Sequence, residues 1–165
     1  MRSLPQVPLL QQVGQHARYR WFYRRRFVHA SRIPNCNAFY LNPLLLKAGS
    51  RVDPHIDRSL RSYCKTVEPP AFVSVLYVRV PEDMEGGELV LKLQKRQVGQ
   101  IKPQTNSLIY FQGDLTHSVN AVTTPGNRLS LVCEQYSLSE DELEEIPEFT
   151  LESRANQGNG KKQKK

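Results

Sequence analysis

The chain has 165 residues, and 23 Lys and Arg against 16 Asp and Glu give it a formal net charge of +7. Hydrophobic residues make up 39% and charged residues 24%, which excludes a wholly disordered chain and suits one domain with its own core rather than two. No apolar run approaches the ~18 residues of a spanning helix, and three cysteines without CxxC spacing argue against a disulfide scaffold or a thiolate zinc cluster.

The start, MRSLPQVPLLQQVGQ, lacks the apolar stretch of a secretory signal, so the expected setting is cytoplasmic, with no membrane partner. Residues 1–26 hold six arginines and no acid, whereas 140–165 cluster acids in SEDELEEIPE and bases in GKKQKK. The basicity therefore sits at the ends, and a solvated face and tail explain it before a nucleic-acid surface does. Three segments are expected: a basic supporting segment (1–34), a central domain (35–138), and an acidic segment with a disordered basic tail (139–165).

Residues 6–16 could form a short helix, and RYRWFYRRRFVHA (18–30) alternates enough for an edge strand with arginines outward. After Pro34 the pattern is strand-like. AFYL (38–41), LLLKAGSRVDPHID (44–57), FVSVLYVRV (72–80), GELVLKL (87–93), NSLIYF (106–111), HSVNAV (117–122) and NRLSLVCEQYSL (127–138) are the candidate strands. Pro69-Pro70, Glu85-Gly86-Gly87, Gly113-Asp114 and Pro125-Gly126-Asn127 separate them as turns. Short strands, tight turns and no long helical period predict an all-β sandwich or barrel. Ser139 with Glu142 three residues later forms a capping box, so 139–148 is expected to open a short helix.

The chemistry rests on the histidines. His55 and Asp57 are two residues apart, which in a strand puts an imidazole and a carboxylate on one face. His117 opens a later strand, and closure of a small barrel could bring it to the same centre. Two histidines and one carboxylate form the facial triad of non-haem Fe(II) oxygenases, with open positions for co-substrate and oxygen. His-x-Asp alone is a common pairing and carries little weight by itself. Eleven residues after His117 comes Arg128. Alternation sets Arg128, Ser130 and Val132 on one face of their strand and Leu129, Leu131 and Cys133 on the other. An inward arginine in an apolar barrel demands a carboxylate, and its fork suits a bidentate grip; the alternative is an outward arginine on an amphipathic strand.

The order His55-x-Asp57, then His117, then Arg128 resembles the 2-oxoglutarate- and Fe(II)-dependent dioxygenases. Phe72-Val73-Ser74-Val75-Leu76-Tyr77-Val78, Gly86-Gly87-Glu88-Leu89, Phe111 and Asn127-Arg128-Leu129-Ser130-Leu131 are most similar in wording to the prolyl 4-hydroxylase type. The resemblance covers roughly residues 38–138 and implies a double-stranded β-helix, a jelly-roll of two sheets, behind a short N-terminal helical or edge-strand segment. It implies Fe(II) on His55, Asp57 and His117, 2-oxoglutarate as co-substrate with its distal carboxylate on Arg128, and O₂, and it admits ascorbate as an accessory. It adds a hydroxyl from Ser130 and apolar pocket walls at Leu76, Val78 and Leu89. Where many members carry a tyrosine nine or ten residues before the first histidine, this chain has Leu45 and Leu46. One hydrogen bond to the co-substrate is then either missing or supplied by Tyr110, while parity with Leu76 and Val78 sets Tyr77 aside.

The activity so implied is hydroxylation of an unactivated C–H bond, on a prolyl or other amino-acid residue, coupled to conversion of 2-oxoglutarate to succinate and CO₂. Segment 58–70, RSLRSYCKTVEPP, follows the His-x-Asp pair as a substrate lid, and Arg58, Arg61 and Lys65 favour an anionic peptide or amino-acid partner. Three rivals stay open. One is a nucleic-acid demethylase of the same superfamily, disfavoured because Glu134 stands where that branch carries a second arginine. The others are a non-catalytic metal- or small-acid-binding β-barrel and an RNA-binding module using residues 18–28 and the lysine tail. The oligomeric state stays open.

Overall fold

The computed structural model describes Ile33 and residues 35–150. The expected helix at 6–16, the edge strand at 18–30 and the basic tail lie outside the described residues. Among the described residues, eight strands form two four-stranded antiparallel sheets. In chain order they are β1 (Ala38–Lys47), β2 (Val52–His55), β3 (Phe72–Arg79), β4 (Leu89–Leu93), β5 (Arg96–Ile101), β6 (Ser107–Gln112), β7 (Thr116–Val119) and β8 (Asn127–Tyr136). One sheet runs β1-β8-β3-β6 and the other β2-β7-β4-β5. The pairing is nested: β1 with β8, β2 with β7, β3 with β6, β4 with β5. A folded-over ribbon whose successive pairs alternate between two sheets is a jelly-roll, so the double-stranded β-helix is the fold.

Three local differences from the sequence reading have simple causes. LLLKAGSRVDPHID is not one strand. β1 runs on through Lys47, the chain turns at Ala48-Gly49, and β2 begins at Val52 in the other sheet. Gly49, with φ 79°, makes that switch. β5, RQVGQI, went unrecognised because its side chains are mostly polar and exposed; it forms the free edge of the second sheet. Prolines 43 and 54 lie inside β1 and β2, and both strands are sheet edges, where a missing N–H costs no ladder bond.

The space between the sheets holds the main core, with Leu46, Val73, Val75, Tyr77, Leu89, Leu91, Ile109, Phe111, Val119 and Val122. On β3, Val73, Val75 and Tyr77 point inward. Leu76 belongs to a second apolar cluster on the outer face of the same sheet, with Phe39, Leu108, Tyr110, Leu131 and Cys133. A third cluster joins Ala38, Tyr136 and Leu138 to Leu60, Cys64 and Val67, and so packs segment 58–70 against the end of β1 and β8. Each such side chain contributes on the order of 1.5–3 kcal/mol on burial. The expected helix forms as α1 (Glu140–Glu145), with both bonds of the Ser139–Glu142 capping box present.

Candidate metal and anion site

β2 and β7 are neighbours, and their register sets His55 directly opposite His117. The two rings stand 4.3 Å apart between centroids, and Phe111 lies 5.1 Å from the His117 ring. Asp57 lies just past the end of β2 and meets both. Its Oδ1 is 3.3 Å from Nε2 of His55, and its Oδ2 is 3.3 Å from Nε2 of His117. Among the described residues this trio is the group whose ligand atoms could share one ion, all within 4.8 Å of one another.

The backbone decides which nitrogens are free. His55 Nδ1 lies 2.8 Å from the Asp53 carbonyl, and His117 Nδ1 lies 3.2 Å from the Leu115 carbonyl. A carbonyl only accepts, so each Nδ1 carries the proton and each Nε2 presents a lone pair inward. Two lone pairs and a carboxylate then converge on one point, an arrangement that suits a cation. Without one, a proton on either Nε2 bridges the same atoms. Burial alone would raise the Asp57 carboxyl, yet its hydrogen bonds with His117 and His55 hold it well below the usual carboxylate range. The same contact with Asp57 raises His55. The set fits a divalent metal with open positions. His55 has 42% of its side chain exposed, against 12% for Asp57, so the centre opens to solvent on the His55 side.

Arg128 sits deeper, at 2% exposure, on the inward face of β8. Its Nη1 donates to the Gly87 carbonyl at 2.7 Å, and its guanidinium carbon lies 4.7 Å from the centre of the Tyr77 ring. Gly87 can offer that carbonyl because Gly86 and Gly87 take φ values of 74° and 71°. A Cβ on Gly86 would lie 2.0 Å from the Ala121 oxygen, so the turn requires glycine there. Three buried polar atoms beside it lack hydrogen-bond partners: Arg128 Nε, the Tyr77 hydroxyl and Ser130 Oγ. Tyr77 and Ser130 are cross-strand partners on β3 and β8, so the three form one cluster. No acid among the described residues pairs with Arg128, and burial lowers its pKa. A buried cation beside two idle hydroxyls is costly unless an anion joins it, and a carboxylate supplies every missing acceptor.

The structure thus brings His55, Asp57 and His117 together and sets Arg128 and Ser130 together nearby. Leu89, 3% exposed, lines the same inter-sheet core. Leu76, Val78 and Tyr110 are elsewhere: Leu76 and Tyr110 belong to the outer cluster, and Val78 is 36% exposed. The expected parity was inverted because FVSVLYV is apolar on both faces, so hydropathy alone does not say which face is inward. Tyr77, set aside by that parity, is the residue beside Arg128. Pairing β3 antiparallel with β8 would have found it, since Tyr77 falls opposite Ser130. Segment 58–70 is likewise no loose lid. Ser59–Ser62 form a 3-10 helix, and Leu60, Cys64 and Val67 are buried. Arg61 donates from its Nε to the Val67 carbonyl at 2.9 Å, so Arg58 and Lys65 are the exposed cations of the segment, with Glu68 its exposed acid.

Residues 39–133 match the family described as the 2OG-Fe(II) oxygenase superfamily. No curated protein matches the sequence at a significant level. Among solved structures, an oxidoreductase of the 2OG-Fe(II) oxygenase family from Burkholderia pseudomallei is similar at TM-score 0.50 and 19% identity, over 70% of this chain and 50% of that one. A Pseudomonas putida prolyl-4-hydroxylase is similar at TM-score 0.50 and 19% identity, over 70% of this chain and 60% of that one. The chain therefore spans half to three-fifths of the length of these relatives in fold. With the family pattern covering more than half the sequence, this chain belongs to the 2OG-Fe(II) oxygenase superfamily, whose members use Fe(II), 2-oxoglutarate and O₂.

Proposed function

We propose that the protein hydroxylates an unactivated C–H bond, on a prolyl or other amino-acid residue of a peptide, with Fe(II) held by His55, Asp57 and His117. One observation carries this reading: a three-ligand centre on one sheet, packed on the core residue Phe111, and a buried arginine without an acidic partner among the described residues on the inward face of the other. The first needs a cation and the second a carboxylate, and 2-oxoglutarate bound to Fe(II) supplies both partners.

When bound, iron and 2-oxoglutarate supply the oxidative chemistry: decarboxylation to succinate and CO₂, with one oxygen atom of O₂ placed in the substrate C–H bond. The chain's own residues do the rest. His55 and His117 present Nε2 because the Asp53 and Leu115 carbonyls hold their other protons. Asp57 completes the face and keeps its charge because both imidazoles favour it. Arg128, Tyr77 and Ser130 take the distal carboxylate, with one charged donor and two hydroxyls. The buried side chains of Leu89, Leu91 and Phe111 keep water out of the space between the sheets. The open side, at His55, is where substrate enters.

Peptide specificity draws on the fold kinship with a prolyl-4-hydroxylase and on the exposed charges of Arg58 and Lys65 in the segment that follows Asp57, which suit an anionic partner. Succinate formation from 2-oxoglutarate under air, dependent on added Fe(II), tests the activity. Wild-type protein that is folded yet yields no succinate above a His117→Ala control refutes it. For the charge, Arg58→Glu with Lys65→Glu should lower stimulation by acidic peptides and leave the peptide-free background intact. Equal stimulation in variant and wild type removes the anionic preference.

A further inference from the structure

Asp57 is the ligand with the weakest local support. β2 ends at His55, and residues 56–58 belong to no strand or helix. Both histidines are set by ladder pairing and by a carbonyl two residues earlier. Asp57 has neither device. The next anchored residue is Ser59, and its anchor comes from the opposite sheet. Ser59 Oγ donates to Glu134 Oε1 at 2.6 Å, and the Ser59 N–H donates to Glu134 Oε2 at 3.3 Å. Glu134 lies on β8, on the same inward-facing row as Arg128 and Ser130, and is 3% exposed. The Tyr136 hydroxyl donates to the same Oε2.

We propose that Glu134 is a positioning residue for the metal centre: by gripping Ser59 it ties the chain just past Asp57 to β8 and sets where the Asp57 carboxylate stands. The inference rests on the reading of His55, Asp57 and His117 as the metal ligands. A buried carboxylate with no cationic partner among the described residues is an expensive way to hold a loop. Its position explains the expense. Glu134 accepts from both the main chain and the side chain of one residue, so it fixes the place and the direction of the backbone two residues after the ligand. Tyr136 occupies the oxygen that takes the weaker Ser59 bond, and so prevents the carboxylate from turning away. The grip also spans the two sheets. Asp57 extends from β2 in one sheet, whereas Glu134 belongs to β8 in the other. Without the grip, residues 56–58 would be tied through His55 on one side and, on the other, only through the short 3-10 helix that buries Leu60.

The test uses the full chain and Co(II), whose absorption bands report both occupancy and coordination geometry. Ser59→Ala removes the 2.6 Å bond and leaves the carboxylate in place. Glu134→Ala removes the whole grip. Support groups behind a metal ligand typically carry about 10–100-fold in metal affinity. Ser59→Ala should therefore weaken Co(II) binding about tenfold and Glu134→Ala at least as much, each with altered Co(II) bands. Glu134→Gln keeps an acceptor toward Ser59 and should recover part of the affinity. Wild-type affinity and unchanged bands in Ser59→Ala and Glu134→Ala, with only a lowered melting temperature, would make Glu134 an ordinary core residue and overturn the inference. If Glu134→Ala does not fold, Ser59→Ala alone decides, since it deletes one hydroxyl. Wild type that binds Co(II) no better than His117→Ala overturns the reading of the centre, and this inference with it. Co(II) binding by wild type that is lost in His117→Ala but unchanged in Ser59→Ala overturns only the inference.

Discussion

The candidate metal centre and the anion pocket stand on opposite sheets and are built by different means. The centre stands on the β2–β7 pair and opens to solvent through His55. Its two histidines are oriented by carbonyls two residues earlier, so each short stretch of sequence carries its own support. The pocket stands on β3 and β8 in the other sheet and is deeply buried. Nothing local builds it: Arg128, Tyr77 and Ser130 meet only because two strands pair in one register, and Gly87 reaches in from a turn far away in sequence. A locally supported site tolerates sequence change around it. A register-built site depends on the whole sheet.

That contrast can be broken at several points. The largest effect is expected from His117→Ala, which removes one of three candidate ligands. Titration with Fe(II) or Co(II) should show binding lost while the circular dichroism of the fold persists. Next is Arg128→Ala. Loss of a charge-assisted grip worth about 3 kcal/mol should raise the KM for 2-oxoglutarate roughly 100-fold, with metal affinity nearly unchanged. Steady-state succinate assays and Co(II) titration measure the two separately, and a parallel loss of both would mean that the sites are not independent. Arg128→Lys should recover only part, because a lysine lacks the planar fork.

Tyr77→Phe sharpens the comparison further. The ring under the guanidinium stays and only the unpartnered hydroxyl goes. The KM for 2-oxoglutarate should rise about tenfold, the value of one hydrogen bond to a charged group. The melting temperature without ligand should not fall. A drop in melting temperature with unchanged KM would assign the hydroxyl to the core instead.

The smallest effect at ordinary pH concerns the outer face of the same sheet. Burial pushes the Cys133 thiol from 9.0 up to about 12. A folded pKa above the unfolded one means the contribution is whole below pH 9 and is lost as pH rises toward 12. Denaturation midpoints should therefore decline over that alkaline window, and Cys133→Ala should flatten the decline. At pH 8.5 the thiol should resist alkylation until the protein unfolds. An equal alkaline decline in wild type and variant would trace the loss to other groups.

Much of this was legible from residues alone. His55-x-Asp57, His117 and Arg128 stood out because metal and carboxylate chemistry restrict residue type and spacing, and those restrictions survive in a linear string. Six of the eight strands were legible from alternation and turn residues, and α1 from its capping box. β5 was not, since a polar edge strand facing water has no hydrophobic signature. The break between β1 and β2 was not, because an apolar run continues to within a few residues of a sheet change that a single glycine turn accomplishes.

The sequence by itself determined the all-β class and singled out His55, Asp57, His117 and Arg128. Only the tertiary structure decided which face of β3 is the inside. Val73-Ser74-Val75-Leu76-Tyr77 buries apolar side chains on both of its faces, so period-two patterning gives no preference, and the register with β8 breaks the tie. That choice brought Tyr77 to Arg128 and sent Leu76, Val78 and Tyr110 to the other side. The contact of Glu134 with Ser59, across 75 residues, was decided the same way. Hydrogen bonds between sheets follow from closure of the ribbon, and closure is a property of all eight strands together rather than of any segment.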